Sequence, residues 1–414
     1  MRKAFVSLFV TAIACLTGVT ASAGPASSTD VQVMTQNQYV GANLFPLIPA
    51  LASGDPAIVN SALVGIIGTI SANRTVDRVN ALSSEILARK PDFVGIQEAW
   101  LIWCEPSDAA PCTNPEFRGA WGDHLAQTEY RLAGAYTKAA YIENFEFGYP
   151  FWDSQGNQGF AYVLDRDAVF VRNDIAYSLP VPGTDYPCAT PFIAGSGCTF
   201  NVNTPLDFNG DDVPEAYVLH GFLVVDATIG GKPVRFVNTH LENGYVDGFP
   251  GVIQSAQALQ ILQATAGTPA ARKLIIVGDM NSDPSDAVDP ISPIPYTPYM
   301  LFAGGGFFDV WLYRPGEVLG LTCCQAEDLM NRRSLLTRRI DLILTREEPR
   351  TVKDARLIGE VAADRLGPPG RSLWPNDHTS VAAGIRFSLQ SDDRGGAAPI
   401  GAAPFFSSAG KAPR

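Results

Sequence analysis

The chain has 414 residues, 46% of them hydrophobic, and a formal net charge of -12 at pH 7. That much apolar material fills a substantial core, which excludes a disordered or fibrous chain. The acidic balance argues against a protein that grips nucleic acid by bulk electrostatics, because backbone binding draws on clustered Lys and Arg.

Arg2 and Lys3 precede an apolar stretch from Ala4 to about Val19, and Ala21-Ser22-Ala23 offers a small-residue cleavage site. Residues 1–23 are therefore expected to be a secretory signal removed before Gly24, which places the mature protein outside the cell or in a periplasm. The stretch is short for a membrane span, and no later segment nears the roughly 18 apolar residues that a span needs. Cys15 follows Ala12-Ile13-Ala14 and lacks the leucine of a lipoprotein anchor. With the signal gone, an even number of cysteines remains, so disulfides are expected. Cys104 with Cys112, and Cys188 with Cys198, would each close a short loop. Adjacent Cys323 and Cys324 are expected to pair elsewhere or stay reduced. No Cys-x-x-Cys or nearby His gives the spacing of a zinc site.

Val31 to Gln36 reads as a first strand, and Ser61 to Lys90 is mostly helical, with Val76, Val79, Leu82 and Ile86 at helical spacing before Pro91. Phe93 to Ile96 is a buried strand that delivers Gln97 and Glu98. Further strands are expected at Tyr162 to Leu164, Ala168 to Val171, Val218 to Asp226, Val234 to Val237, Leu274 to Val277 and Ile340 to Leu344, with a last one after His378. Gln254 to Ala264 reads as a helix, with Ala256, Leu259 and Ile261 or Leu262 on one side. Residues 181–215, rich in Pro, Gly, Thr and Asn, read as a long loop insertion in a domain spanning 24–387. The tail 388–414 reads as disordered and of low complexity. Strands outnumber long helices and few crossover helices are required. The expected fold is α/β, a four-layer sandwich of two packed mixed β-sheets flanked by helices.

Polar groups recur at the ends of these apolar runs: Asn37, Glu98, His240, Asp279, Asn281, Asp341, Asp377 and His378. They comprise hard oxygen donors for a divalent cation, two imidazoles for proton transfer and carboxylates able to orient an imidazole. Such a set suits attack of water on a phosphoester, and its hard ligands favour Mg2+, with Mn2+ as a substitute, over zinc.

Six segments carry a specific resemblance: Val33-Met34-Thr35-Gln36-Asn37, Gly95-Ile96-Gln97-Glu98, Asn238-Thr239-His240-Leu241, Gly278-Asp279-Met280-Asn281, Arg339-Ile340-Asp341-Leu342-Ile343-Leu344 and Asn376-Asp377-His378. In this order and at these strand ends, the chain from about Val31 to Phe387 resembles the endonuclease/exonuclease/phosphatase superfamily, the deoxyribonuclease I-like group. The resemblance implies that Glu98 binds the metal, with Asn37 and Asp377 as ligands or close supports. It implies His378, oriented by Asp341, as the general base. Asp279 and Asn281 would position the water and the scissile phosphate, and His240 would meet a phosphate oxygen or protonate the leaving group. Asn376 stands where many relatives have serine.

The implied substrate is a phosphoester: nucleic acid, as in a nuclease; a phospholipid, as in a sphingomyelinase-like hydrolase; or a small phosphoester. A catalytically silent binding module is the reading from another class, and the intact set of histidines and carboxylates speaks against it. A monomer is expected. His124 and His220 read as ordinary core or surface residues, Asp92 as a loop residue, and Trp100, Trp103 and Trp121 as core packing. Arg332, Arg333, Arg338 and Arg339 form the one basic cluster. Asp207, Asn209 and Asp211 alternate around Gly210 like the front of a calcium loop, but Val218 stands where a bidentate Glu belongs, so an Asx-rich turn competes with a structural Ca2+ site.

Overall fold

The computed structural model describes residues 30–208, 211–243, 251–288, 292–368 and 370–387. The signal and tail expectations lie outside these residues. Eleven strands carry the fold: β1 (Asp30–Asn37), β2 (Phe93–Gln97), β3 (Leu101–Glu105), β4 (Tyr136–Trp152), β5 (Gln158–Arg172), β6 (Gly221–Ile229), β7 (Lys232–His240), β8 (Lys273–Asp279), β9 (Asp341–Thr345), β10 (Pro349–Ile358) and β11 (Ser380–Phe387). One sheet runs β10-β11-β1-β2-β5-β3, with β4 pairing along β5. The other runs β9-β8-β7-β6, with Gly197–Thr199 and Thr190–Phe192 continuing it beyond β6. Both are mixed: β1 is parallel to β2 and antiparallel to β11, while β7 is parallel to β8 and β8 antiparallel to β9.

The two sheets face each other across a core of β-branched and aromatic side chains, among them Val33, Val169, Leu223, Ile275 and Ile343. Phe93 of one sheet stacks on Phe236 of the other at 4.9 Å between ring centroids, a contact worth about 1 kcal/mol beyond its buried area. Helices α1 (Leu47–Ala52), α2 (Pro56–Ala72), α3 (Thr75–Arg89), α4 (His124–Leu132) and α5 (Val252–Ala266) lie outside the sheets. Ile86 of α3 packs on Met34, Val94 and Phe170 of the first sheet, and Ile261 of α5 on Val237 and Ile276 of the second. This is the expected four-layer α/β sandwich.

Several local expectations change. The helical stretch is two helices: Asp55 caps α2 through Ala57 N at 2.8 Å, and Arg74 in the left-handed region (φ 50) breaks the run before α3. Val76 is 55% exposed, because the buried face of α3 runs through Arg78, Val79, Leu82, Ser83 and Ile86. In α5 the buried side carries Ile253, Ala258, Ile261 and Ala264, leaving Ala256 and Leu259 half-buried. The two short strands around residues 162–171 are one strand of 15 residues, and its 17-residue partner β4 had no simple alternation because two register shifts interrupt it. Val218 to Asp226 divides at His220: Ala216–Val218 pairs with Thr204–Leu206, and β6 begins at Gly221.

Residues 181–215 are not simply a loop, since they supply the last two strands at one edge of the second sheet and half of that hairpin. Cys188–Cys198 ties the edge strands down, Cys104–Cys112 closes the loop after β3, and Cys323 is bonded to its neighbour Cys324, contrary to the expectation for that pair. Among the described residues no single helix is long and apolar enough to cross a membrane.

Candidate active site

Strand register builds the site. His240, Asp279 and Asp341 are direct cross-strand partners on β7, β8 and β9, so three functional side chains stand abreast at one end of the second sheet. Asn37 at the end of β1 pairs with Gln97 at the end of β2, which sets Glu98 one residue further on. Asn238 locks the two sheets at this end: its Oδ1 accepts from Gln97 Nε2 at 2.6 Å, and its Nδ2 donates to the Ile96 and Ala168 carbonyls at 3.0 and 3.1 Å. Gly95 is required there because a Cβ would collide with Asn238. Gly278 takes φ +150, where a Cβ would strike the Thr239 carbonyl. Tyr39 (φ 55), Glu98 (φ 55) and Asn281 (φ 46) are also left-handed, and such strained non-glycine positions collect at functional sites.

The side chains converge. Asn37 Nδ2 donates to Glu98 Oε1 at 2.8 Å and to Asp279 Oδ2 at 3.1 Å, while its Oδ1 accepts from Tyr39 N at 2.9 Å. Asn37 thereby holds the Glu98 and Asp279 carboxylates side by side. Glu98 Oε2 accepts from Trp100 Nε1 at 3.2 Å and Val40 N at 3.3 Å. His378 Nδ1 meets Asp341 Oδ2 at 2.8 Å and lies 3.6 Å from Asp279 Oδ2. His240 Nε2 lies 3.7 Å from Asp279 Oδ2 and 3.3 Å from Asn281 Nδ2, and Asn281 also donates to the Leu241 carbonyl at 2.9 Å. Asp377 lines the same cavity. Cys324 Sγ is 3.9 Å from His378 Nε2, which puts the bonded cysteine pair at the wall of the site.

Burial and charge set the protonation states. Burial lowers the affinity of His378 for a proton, but Asp341, Asp377 and Asp279 outweigh it and hold the imidazole well above its ordinary value. His240 is likewise penalised by burial and raised to about 9 by Asp279, Asp167, Glu98 and Asp165. Burial pushes Asp377 up to about 7, with His378 opposing. Burial raises Asp341 too, again against His378.

The sequence reading missed Asp165 and Asp167. They project from β5 toward His240, both accept from Asn144 Nδ2, at 3.0 and 3.1 Å, and each brings a carboxylate oxygen within 4.8 Å of a ring nitrogen of His240. Burial raises Asp165 to about 6 and, with Asp165 adding to it, Asp167 to about 8. The signal was present as two acidic residues between the apolar runs Tyr162–Leu164 and Ala168–Val171. His220 is also drawn in, its ring 4.8 Å from that of His240 and its Nε2 3.8 Å from Glu242 Oε2. His124 is a core residue as expected. Of the basic cluster, Arg332 and Arg333 are exposed, whereas Arg338 and Arg339 pair with Asp286 and Asp309 at 2.7 and 2.6 Å.

The donor set fits a divalent cation. Glu98, His240 and Asp279 bring ligand atoms within 4.8 Å of one another, and Asp377 Oδ1 is buried without a hydrogen-bond partner among the described residues, an arrangement that positive charge would relieve. At the calcium-like loop Asn209 lies outside the described residues. Asp207, Asp211 and Glu215 cluster there, but backbone amides of Asp212, Val213 and Phe208 already bond these carboxylates, as in an Asx-rich turn.

A sequence model of the Endonuclease/Exonuclease/phosphatase family matches residues 59–378. The chain belongs to this family. It is accordingly a metal-dependent phosphoric ester hydrolase. Solved structures match the chain at low identity. TDP2 from Caenorhabditis elegans is 14% identical over 88% of this chain and 100% of that chain, with a TM-score of 0.45. A family protein from Bacteroides thetaiotaomicron is 15% identical over 87% and 99%, with a TM-score of 0.48. A mannosyl-6-phosphatase from Bacteroides thetaiotaomicron is 16% identical over 86% and 100%, with a TM-score of 0.46. No curated protein matches the chain.

Proposed function

We propose that the chain is a secreted phosphoesterase that hydrolyses its substrate by direct attack of water, without a covalent enzyme intermediate. The observation that carries the reading is the 2.8 Å contact between His378 Nδ1 and Asp341 Oδ2 beside Glu98 and Asp279. Asp341 fixes the imidazole orientation, and a cation held by the neighbouring carboxylates would offset the charge that keeps His378 protonated, leaving Nε2 to take a proton from water. Asp279 and Asn281 orient the water and the phosphate, and His240 donates to a phosphate oxygen or the leaving group. Glu98, with Asp377 and Asp279, would hold Mg2+, supported by Asn37. When bound, that ion supplies charge to offset what builds on the phosphoryl oxygens. Export is supported by the signal-like residues 1–23 and by the paired cysteines.

The test is hydrolysis of bis-p-nitrophenyl phosphate, p-nitrophenyl phosphate, DNA, RNA, inositol phosphates and sphingomyelin, each with magnesium and with a chelator. Magnesium-dependent turnover of at least one substrate is expected. A folded, magnesium-loaded protein inert toward all of them would remove the reading.

A further inference from the structure

The polar groups of the site form one end of a cavity of about 560 Å³, within the size range of small-molecule sites, whose remaining walls are largely apolar. Leu47 and Leu51 of α1 and Ile66 and Ile70 of α2 form one wall, facing Trp100 and Phe147. Leu44 and Phe45 stand ahead of α1, and Phe45 is 49% exposed, so an apolar side chain reaches from the chamber to solvent. A single space therefore joins an acid–base floor to a lipophilic chamber.

Two chemistries are unsuited to the apolar half. A hydrophilic group such as a sugar would lose its hydrogen bonds to water with few partners in exchange. A nucleic acid strand needs cations along its backbone, yet among the described residues Arg338 is the one Lys or Arg on the wall, and it faces Asp286. An alkyl chain suits those walls, because it exchanges only hydrated apolar surface for apolar contact. Resting on the phosphoesterase reading above, we infer that the substrate is a phosphoester amphiphile. Its phosphate lies over Glu98, Asp279 and the two histidines, and its alkyl chain occupies the chamber between α1, α2 and the first sheet.

Binding and turnover are measured separately. Titration calorimetry of the magnesium-loaded protein with butyl-, hexyl-, octyl- and decylphosphonate, which cannot be hydrolysed, should show affinity rising by up to about fourfold per added methylene until the chamber is filled. Ile66→Trp, which fills the chamber from α2, should flatten the series. Leu47→Trp on the more exposed α1 does the same should the first variant fail to fold. Decylphosphonate binding no tighter than butylphosphonate overturns the inference whether or not the protein hydrolyses anything. Chain-dependent binding without turnover of any phosphoester sinks the hydrolase reading and leaves the ligand class of the chamber standing. An oligonucleotide cleaved with higher kcat/KM than decyl p-nitrophenyl phosphate also overturns the inference. Presenting that ester below its micellar concentration or in phosphatidylcholine vesicles tells whether the chain enters from solution or from a bilayer, and a chain-length gain in either form supports the proposal.

Discussion

The catalytic floor and the chamber beside it are two halves of one cavity built on opposite principles. On the floor every side chain is held by hydrogen bonds and charge, so that Asp279 alone faces Asn37, His240 and His378. In the chamber the walls are aliphatic and aromatic, and position is set by helix packing. The rim between them is held from outside by Arg78, fully buried, whose guanidinium donates to the carbonyls of Asn73, Gln38 and Tyr39 at 3.0, 3.2 and 3.1 Å. Chemistry needs directional contacts that fix atoms to fractions of an ångström, whereas binding a chain needs only shape and dryness.

Separate perturbation of the halves should keep their effects apart. The largest effect is expected from His378→Ala, which should cut kcat by about 100-fold to 10,000-fold. Decylphosphonate affinity should change by less than about tenfold. Equal losses in both would mean that the halves are not independent. Next comes Asn238→Ala, which strands Gln97 and two carbonyls in the core and should cost about 3 kcal/mol in a denaturant melt. An unchanged midpoint would show that the sheets are joined without it.

Glu98→Gln keeps the shape of the floor and removes one charge, so half-maximal activity should need at least about tenfold more magnesium. An identical titration curve excludes Glu98 as a ligand. The smallest effect at neutral pH concerns His124, buried near Arg78 and Arg166, where burial first and then the two guanidiniums lower its pKa to about 3. The native state then binds fewer protons than the unfolded chain between that value and about 6.5. Stability should therefore fall as the pH is lowered across this window, by on the order of 1 kcal/mol per unit, and His124→Asn should flatten the slope. A slope unchanged in the variant would assign the loss to other groups.

The same contrast explains what the sequence disclosed. The floor was legible because Asp279, Asp341 and His378 border apolar strands, where a polar group is conspicuous and costly unless used. Asp165 and Asp167 were passed over because they split what read as two strands. The chamber was illegible: Ile66 and Ile70 have the same periodicity whether they face a core or a cavity, and only the packing of α2 against its surroundings decides. Strand β4 was hidden by its register shifts, and the break at Arg74 by the helical character on both sides of it.

The floor draws Asn37 and Glu98 from one sheet and His240, Asp279 and Asp341 from the other, with Asn238 bridging them. A nascent chain with either sheet alone has no working centre. Hydrolytic power therefore requires the two sheets to be packed together, and turnover per molecule becomes a count of fully assembled chains. A partly assembled copy is chemically harmless to the phosphoesters around it.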